Sequence, residues 1–342
     1  MTTETLDRTR TRTGTRSPSD FGPLLARINA ADLLSRRRLH YAVAIAVNML
    51  ACVAIVVGVV LVGDSWWQLA LAALAAVFST QSGFIGHDAG HSQIAGSKRV
   101  NRVLGFVHGD LLLGMSYGWW THKHNRHHAN PNHEDKDPDV SAGVFAWSRG
   151  QAEGRQSRFG AWAAAHQHLY FFPLLMFEGL NLKVASWRTL GDRNVRDRWI
   201  EGSLLTAHLA GYLTLVFASM PVGMGIAFIA VHQALFGVYL GSSFAPNHKG
   251  MPMPGPDDNW DHLRKQVLTS RNVRGGPVTD WALGGLNYQA EHHLFPSMPR
   301  PNLRRAQPIV RAYCAEVGVL YTETGLVESY AIGLRHLRDV GA

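Results

Sequence analysis

Four stretches of the chain run apolar for long enough to cross a bilayer, and polar segments of very unequal length separate them. Residues 40–62, 66–86, 202–220 and 222–244 hold 19 to 23 residues each, without one Lys, Arg, Asp or Glu. About 20 helical residues span the hydrocarbon core, so each predicts a transmembrane helix. Gly63-Asp64-Ser65 joins the first two and Pro221 the last two, which predicts two helical hairpins. Two shorter apolar stretches, 103–117 and 168–180, are broken by His108 and Asp110 and by Pro173 and Glu178; they predict interfacial or re-entrant helices. The Thr- and Arg-rich start predicts a disordered basic tail over 1–25. The expected organisation is an all-α membrane protein: a membrane domain over 26–320, a helical cap made of 87–201 and 245–320, and a C-terminal tail over 321–342.

Charge then orients the hairpins. Of the 33 Lys and Arg, eight precede the first span, 14 lie between the hairpins and 11 follow the last span, leaving none at the hairpin tips. The positive-inside rule therefore puts both termini and the cap in the cytoplasm. Charged residues make up 17% of the 342 residues, against roughly a quarter in soluble domains. The apolar content of 46% excludes global disorder, and two cysteines, Cys52 and Cys314, exclude a disulfide scaffold. The excess of basic residues suits anionic lipid or an acidic partner protein; no nucleic-acid motif accompanies it, so no nucleic-acid partner is expected.

The chain holds 18 histidines, and their spacing points to chemistry. His87 and His91 stand four apart just after the second apolar run. His124, His127 and His128 stand at i, i+3 and i+4. Gln289, His292 and His293 repeat that spacing, with Gln in the first place, and Asn247-His248 follows the fourth run. Residues three and four apart share a helix face, and an even number of spans returns all these clusters to one side of the membrane. Eight imidazoles exceed the four to six ligands that one ion takes, so the pattern predicts two metals. Imidazole without thiolate suits iron, copper or zinc. Asp88 and Glu291, inside the clusters, are the expected acceptors for the free ring N–H groups of the ligands. Trp119, Trp120, His168, Asp137 and Asp139 are the expected substrate-side residues.

The strings His87-Asp88-Ala89-Gly90-His91, His124-Asn125-Arg126-His127-His128 and Gln289-Ala290-Glu291-His292-His293, in this order around the second hairpin, resemble the integral-membrane fatty acid desaturases. Gly284 to Pro296, with Gln opening the third box, looks like the front-end (delta-5/delta-6, linoleoyl-CoA desaturase-like) subgroup; Trp119-Trp120, Asp137-Pro138-Asp139 and 266–272 fit it too. The resemblance implies two non-haem irons held by His87, His91, His124, His127, His128, His248, His292 and His293, with Gln289 standing where other members place a ligand histidine. It implies that O2 is consumed to put a cis double bond into a lipid- or CoA-linked acyl chain. Many front-end members carry a fused cytochrome b5 domain marked by His-Pro-Gly-Gly, a string missing from this sequence; the electrons are then expected from a ferredoxin-type donor with its reductase. Oxygen insertion by a lipid or carotenoid hydroxylase or ketolase is the neighbouring reading. A non-catalytic metal carrier is the more distant one.

Overall fold

The structure is a computed structural model that describes residues 20–192, 195–255 and 258–342. The chain begins with α1 (Phe21–Ala30) and two long helices, α2 (Arg38–Val62) and α3 (Trp67–Gly90). Next come α4 (Lys98–Gly105), a π-helix (Phe106–Leu113) and α5 (Tyr117–Ala129). The helices α6 (Arg149–Glu153), α7 (Arg158–Leu175) and α8 (Glu178–Thr189) lead to the second long pair, α9 (Arg198–Ser219) and α10 (Val222–His248). The remainder alternates α11 (His262–Leu268), β1 (Arg271–Val273), α12 (Pro277–Ala282), α13 (Gln289–Leu294), α14 (Arg300–Glu316), β2 (Thr322–Thr324) and α15 (Leu326–Gly341).

Helices α2, α3, α9 and α10 are long and apolar enough to cross a membrane. They occupy different places. Only 11% of the α2 span is buried, against 44% of α3, so α2 faces lipid while α3 lies at the centre. The most extensive helix contact is that of α3 with α10. These two helices also run past the predicted ends at 86 and 244. At 1.5 Å per residue, 24 and 27 residues reach roughly 36 and 40 Å, beyond a hydrocarbon core of about 30 Å. The excess projects into the cap and carries His87 and His248 in its last turns.

The cap corrects the sequence reading at its two ends. The tail drawn to residue 25 ends earlier: α1 starts at Phe21 and buries Leu24 and Ile28 against α14 and α11, while 1–19 lie outside the described residues. The stretch at 103–117 folds as the end of α4 plus the π-helix. The segment 321–342 is no tail. Strand β2 pairs in parallel with β1, Arg271 opposite Thr322, so the cap is not wholly helical. Helix α15 buries Ser329, Gly333, Leu337 and Val340, spaced at helical intervals, and packs on α7.

That last helix braces α10 near His248. Pro246 has no N–H to give to the Ser242 carbonyl, and the Tyr330 hydroxyl donates to that carbonyl instead, at 2.7 Å. The Pro246 carbonyl accepts from Arg271 Nη2 at 2.5 Å and Ser329 Oγ at 2.6 Å. At the other side of the cap, Ser116 caps α5 by accepting from Trp119 N at 3.0 Å, and its hydroxyl donates to Glu201 of α9. The Gly118 N–H donates to the same carboxylate at 3.2 Å, placing a buried anion at a helix N-terminus, where the dipole favours it.

Candidate metal centre

Three short pieces of helix and the end of α10 bring the histidines together. His87 lies in the last turn of α3 and His91 caps it; α5 carries His124, His127 and His128; α13, whose six residues are all buried, carries His292 and His293. Their ligand atoms fall into two groups, each within 4.8 Å of one another: His87, His91, His124, His128 and His292 in one, His127, His248 and His293 in the other. Consecutive residues on a helix point about 100° apart. Each His-His doublet therefore divides between the groups, His128 and His292 to the first, His127 and His293 to the second. The groups meet where the His128 and His293 rings stack, their centroids 4.2 Å apart.

Hydrogen bonds identify the proton-bearing nitrogens of the three-histidine group. His248 Nδ1 donates to the Thr269 carbonyl at 2.9 Å, and His293 Nδ1 to Gln266 Oε1 at 3.0 Å. Gln266 is held in that sense because its Nε2 donates to the His128 carbonyl at 2.9 Å. His127 Nδ1 donates to Asp137 Oδ2 at 2.8 Å. Each ring thus keeps its proton on Nδ1 and turns an Nε2 lone pair inward. The Nε2 atoms of His248 and His293 stand 3.1 Å apart, which for two lone pairs is repulsive without a cation. Bonds of about 2.1 Å at right angles on one ion would put such atoms about 3.0 Å apart. His128 Nε2 and His124 Nε2, in the five-histidine group, are likewise separated by 3.0 Å.

The five-histidine group is less supported. His87 Nδ1 donates to Asp88 Oδ1 at 3.0 Å, and Arg300 holds the other oxygen of Asp88 through Nε at 2.9 Å and Nη2 at 2.6 Å. Buried nitrogens without any partner include Nε2 of His87 and His91, Nδ1 of His128 and both ring nitrogens of His292. Unsatisfied buried polar atoms are rare in native proteins and call for an explanation. A bound ion is one that fits the donor set. Burial, then neighbouring imidazoles, holds His91, His124, His128, His292 and His293 well below the ordinary histidine range, leaving them neutral as ligands must be. Burial also opposes the charge on His127, but Asp137 and Asp139 outweigh it and raise its pKa.

Other expectations fall differently. Asp137, expected on the substrate side, is buried beneath His127 and also accepts from the N–H groups of Asn132 at 2.7 Å and Asp139 at 2.9 Å. Spacing gave no signal for this, because the partner comes from the loop after α5. Glu291 bonds no histidine: it accepts from Asn272 Nδ2 and Tyr321 Oη, both at 2.7 Å, and burial pushes its pKa up to about 7. It ties α13 to the loop and strand around it. Gln289 places its Nε2 2.8 Å from His248 Nε2, while its Oε1 accepts from Asn247 Nδ2 at 3.1 Å. Asn247 is anchored by the Leu286 carbonyl at 3.0 Å, so the amide of Gln289 turns its donor, not its lone pair, toward the group. Gln266, Thr269 and Arg300 were not singled out individually by spacing.

A cavity of about 300 Å³ runs beside both groups, at the small end for ligand pockets. His87, His124, His127, His248, Gln289 and His292 line it, with an apolar wall that includes Leu113, Met115, Leu240 and Phe244. Trp120 lines it and stacks on His124 with centroids 4.5 Å apart. Asp139 also lines it, paired with Lys123. Trp119 and His168 do not: Trp119 packs against Leu113 and Phe236, and His168 lies on α7.

Four membrane-length helices among the described residues, under a cap with two histidine groups that could hold metal, define a polytopic membrane protein with a candidate metal centre. The comparison with known proteins narrows the class. Residues 64–325 match the family model described as fatty acid desaturase, and the chain belongs to that family, in its front-end subgroup. It is 29% identical over 94% of its length to the "Acyl-lipid (9-3)-desaturase" of Physcomitrium patens, 62% of which is covered. It is 30% identical over 80% of its length to a Delta(6)-fatty-acid desaturase of Caenorhabditis elegans, covering 65% of it, and 32% identical over 95% to "Fatty acid desaturase 3" of Bos taurus, covering 69%. The chain thus spans a little under two thirds of the first two relatives.

Proposed function

We propose that this chain is an O2-dependent fatty acyl desaturase that introduces a cis double bond into a lipid- or CoA-linked acyl chain. The observation that carries the reading is the pair of converging imidazole sets beside an apolar cavity. His87, His91, His124, His128 and His292 would hold one iron and His127, His248 and His293 the other, with Gln289 beside the second as a hydrogen-bond donor. A pair of redox-active irons would activate O2, the oxidant that unactivated C–H bonds demand and that no acid–base side chain can replace; zinc has no redox chemistry to do so. The balance is one R–CH2–CH2–R′, one O2, two electrons and two protons giving R–CH=CH–R′ and two waters.

The rest falls to the chain's own residues. Leu113, Met115, Leu240 and Phe244 hold the alkyl chain and keep water from it. Trp120, stacked on His124, fixes that ring against the cavity. Asp88, Asp137, Gln266 and the Thr269 carbonyl hold the ring protons on Nδ1, so each of these Nε2 atoms keeps its lone pair. The basic cap faces the cytoplasm, where both termini lie, and favours an acidic electron donor of the ferredoxin type with its reductase. The described chain from Phe21 onward forms the catalytic domain, with 321–342 as its brace.

The test is a fatty-acid profile by gas chromatography–mass spectrometry from a host that supplies a ferredoxin system, with His127→Ala as control. A new unsaturated product present only with the wild type is expected. A hydroxylated product would transfer the same ligand set to a hydroxylase. No new product from folded, iron-loaded and reducible protein would overturn the reading for ordinary acyl chains.

A further inference from the structure

The cavity beside the histidines has a charged end. Lys123, Asp139, Glu178 and Lys249 line it, together with Trp147. The side chains of Lys123 and Asp139 are 33% and 34% exposed, whereas Leu113 and Leu240 on the apolar wall are 2% and 4% exposed. The charged end adjoins the histidine sets directly. Lys123 precedes His124, Lys249 follows His248, and Asp139 Oδ2 stands 3.5 Å from His127 Nδ1.

The two lysines are not equivalent. Lys123 is ion-paired with Asp139, whose carboxyl it keeps below the usual carboxylate range against the effect of burial. Lys249 Nζ donates to the backbone carbonyl of Asp139 at 3.2 Å and lies 3.9 Å from the centroid of the Trp147 ring. Among the described residues no carboxylate comes within salt-bridge distance of it. An ammonium has three donors, and a carbonyl and an indole face leave it short of acceptors. Asp139, Asp137 and Glu178 lie near enough to offset its charge, so what the site lacks is an oxygen to take the remaining N–H donors. The groove beside it is shaped for an alkyl chain, so that oxygen belongs to the head of the chain.

On the desaturase reading above, we propose that Lys249 binds the carbonyl oxygen at the carboxyl end of the acyl substrate, an ester or a thioester, and thereby sets which carbons reach the histidine sets. A glycerolipid ester and a CoA thioester share this chemistry.

The test pairs each substrate with an analogue lacking the carbonyl: an acyl-CoA against its S-alkyl thioether, and a diacyl phospholipid against its dialkyl ether. Binding is measured on the iron-loaded protein without reductant, so that nothing turns over. Wild type is expected to prefer the carbonyl-bearing partner by about tenfold or more, the scale of a hydrogen bond to a charged group, for whichever carrier is the natural one. Lys249→Met should abolish that preference and scatter the position of the double bond, while Lys249→Arg keeps both. Iron content equal to wild type will show that His248 is still in place. An unchanged preference and bond position in Lys249→Met overturns the proposal, as does a wild type indifferent to the carbonyl on both carriers. A lysine-dependent preference without any unsaturated product would sink the desaturase reading and leave the carbonyl site standing.

Discussion

The two histidine sets hold their ligands by different means. In the three-histidine set every ring is aligned from outside: His127 by Asp137, His248 by the Thr269 carbonyl, His293 by Gln266. In the five-histidine set only His87 has a side-chain partner of that kind, Asp88, while His91, His128 and His292 present nitrogens with no partner at all. On the proposed reading, one set would substitute pre-orientation for ligand number, while the other would have ligands to spare. The difference follows from position. The three-histidine set sits where α10 meets the loop before β1, within reach of the Thr269 carbonyl and the side chains of Asp137 and Gln266, while the five-histidine set is surrounded by its own imidazoles.

The contrast is sharpest under loss of one ligand. His248→Ala should empty its set, bringing iron from about two per chain toward one by elemental analysis, whereas His91→Ala leaves four imidazoles, enough for one ion, and keeps most of its metal. Equal loss in both variants would break the comparison. Next in size is Asp137→Asn, expected to weaken metal at the three-histidine set by about 10- to 100-fold in a chelator competition, with the five-histidine set unaffected. Arg300→Met leaves the buried Asp88 without its ion-pair partner; the loss should run through His87 alone, about tenfold in affinity at the five-histidine set, with a lowered thermal midpoint. Smallest is Glu291→Gln. This acid bonds Asn272 and Tyr321 rather than a ligand, so metal content should stay at wild type at both sets while stability falls by about 1 kcal/mol, read by thermal unfolding.

The legible part of this protein is the part that repeats. Apolar runs without charge had to become helices in lipid, because the bilayer offers no partner for a bare backbone group. The i, i+3 and i+4 spacing of His124, His127 and His128 is a property of one helix and needs no tertiary knowledge. Other features turned on contacts across long sequence separations. Asp137 was expected near substrate and instead lies under His127; Glu291 was expected at a ligand and faces away from it. Both stand close in sequence to histidines, but the direction of an acid side chain depends on what packs on its element. The same holds for 321–342, which is amphipathic in pattern yet becomes a brace only because α7 and α10 offer a surface to it.

Sequence alone therefore determined the membrane class, the two hairpins, the family and the identity of the clustered histidines, since each rests on local periodicity or composition. Tertiary structure decided how the histidines divide. Adjacent residues of a doublet point about 100° apart, so His127 and His128, or His292 and His293, serve different sets once α3, α5, α10 and α13 converge. It also decided that Arg300, Gln266 and Lys249 stand around those sets. Their roles come from distances between segments up to 212 residues apart in the chain, which no local pattern encodes.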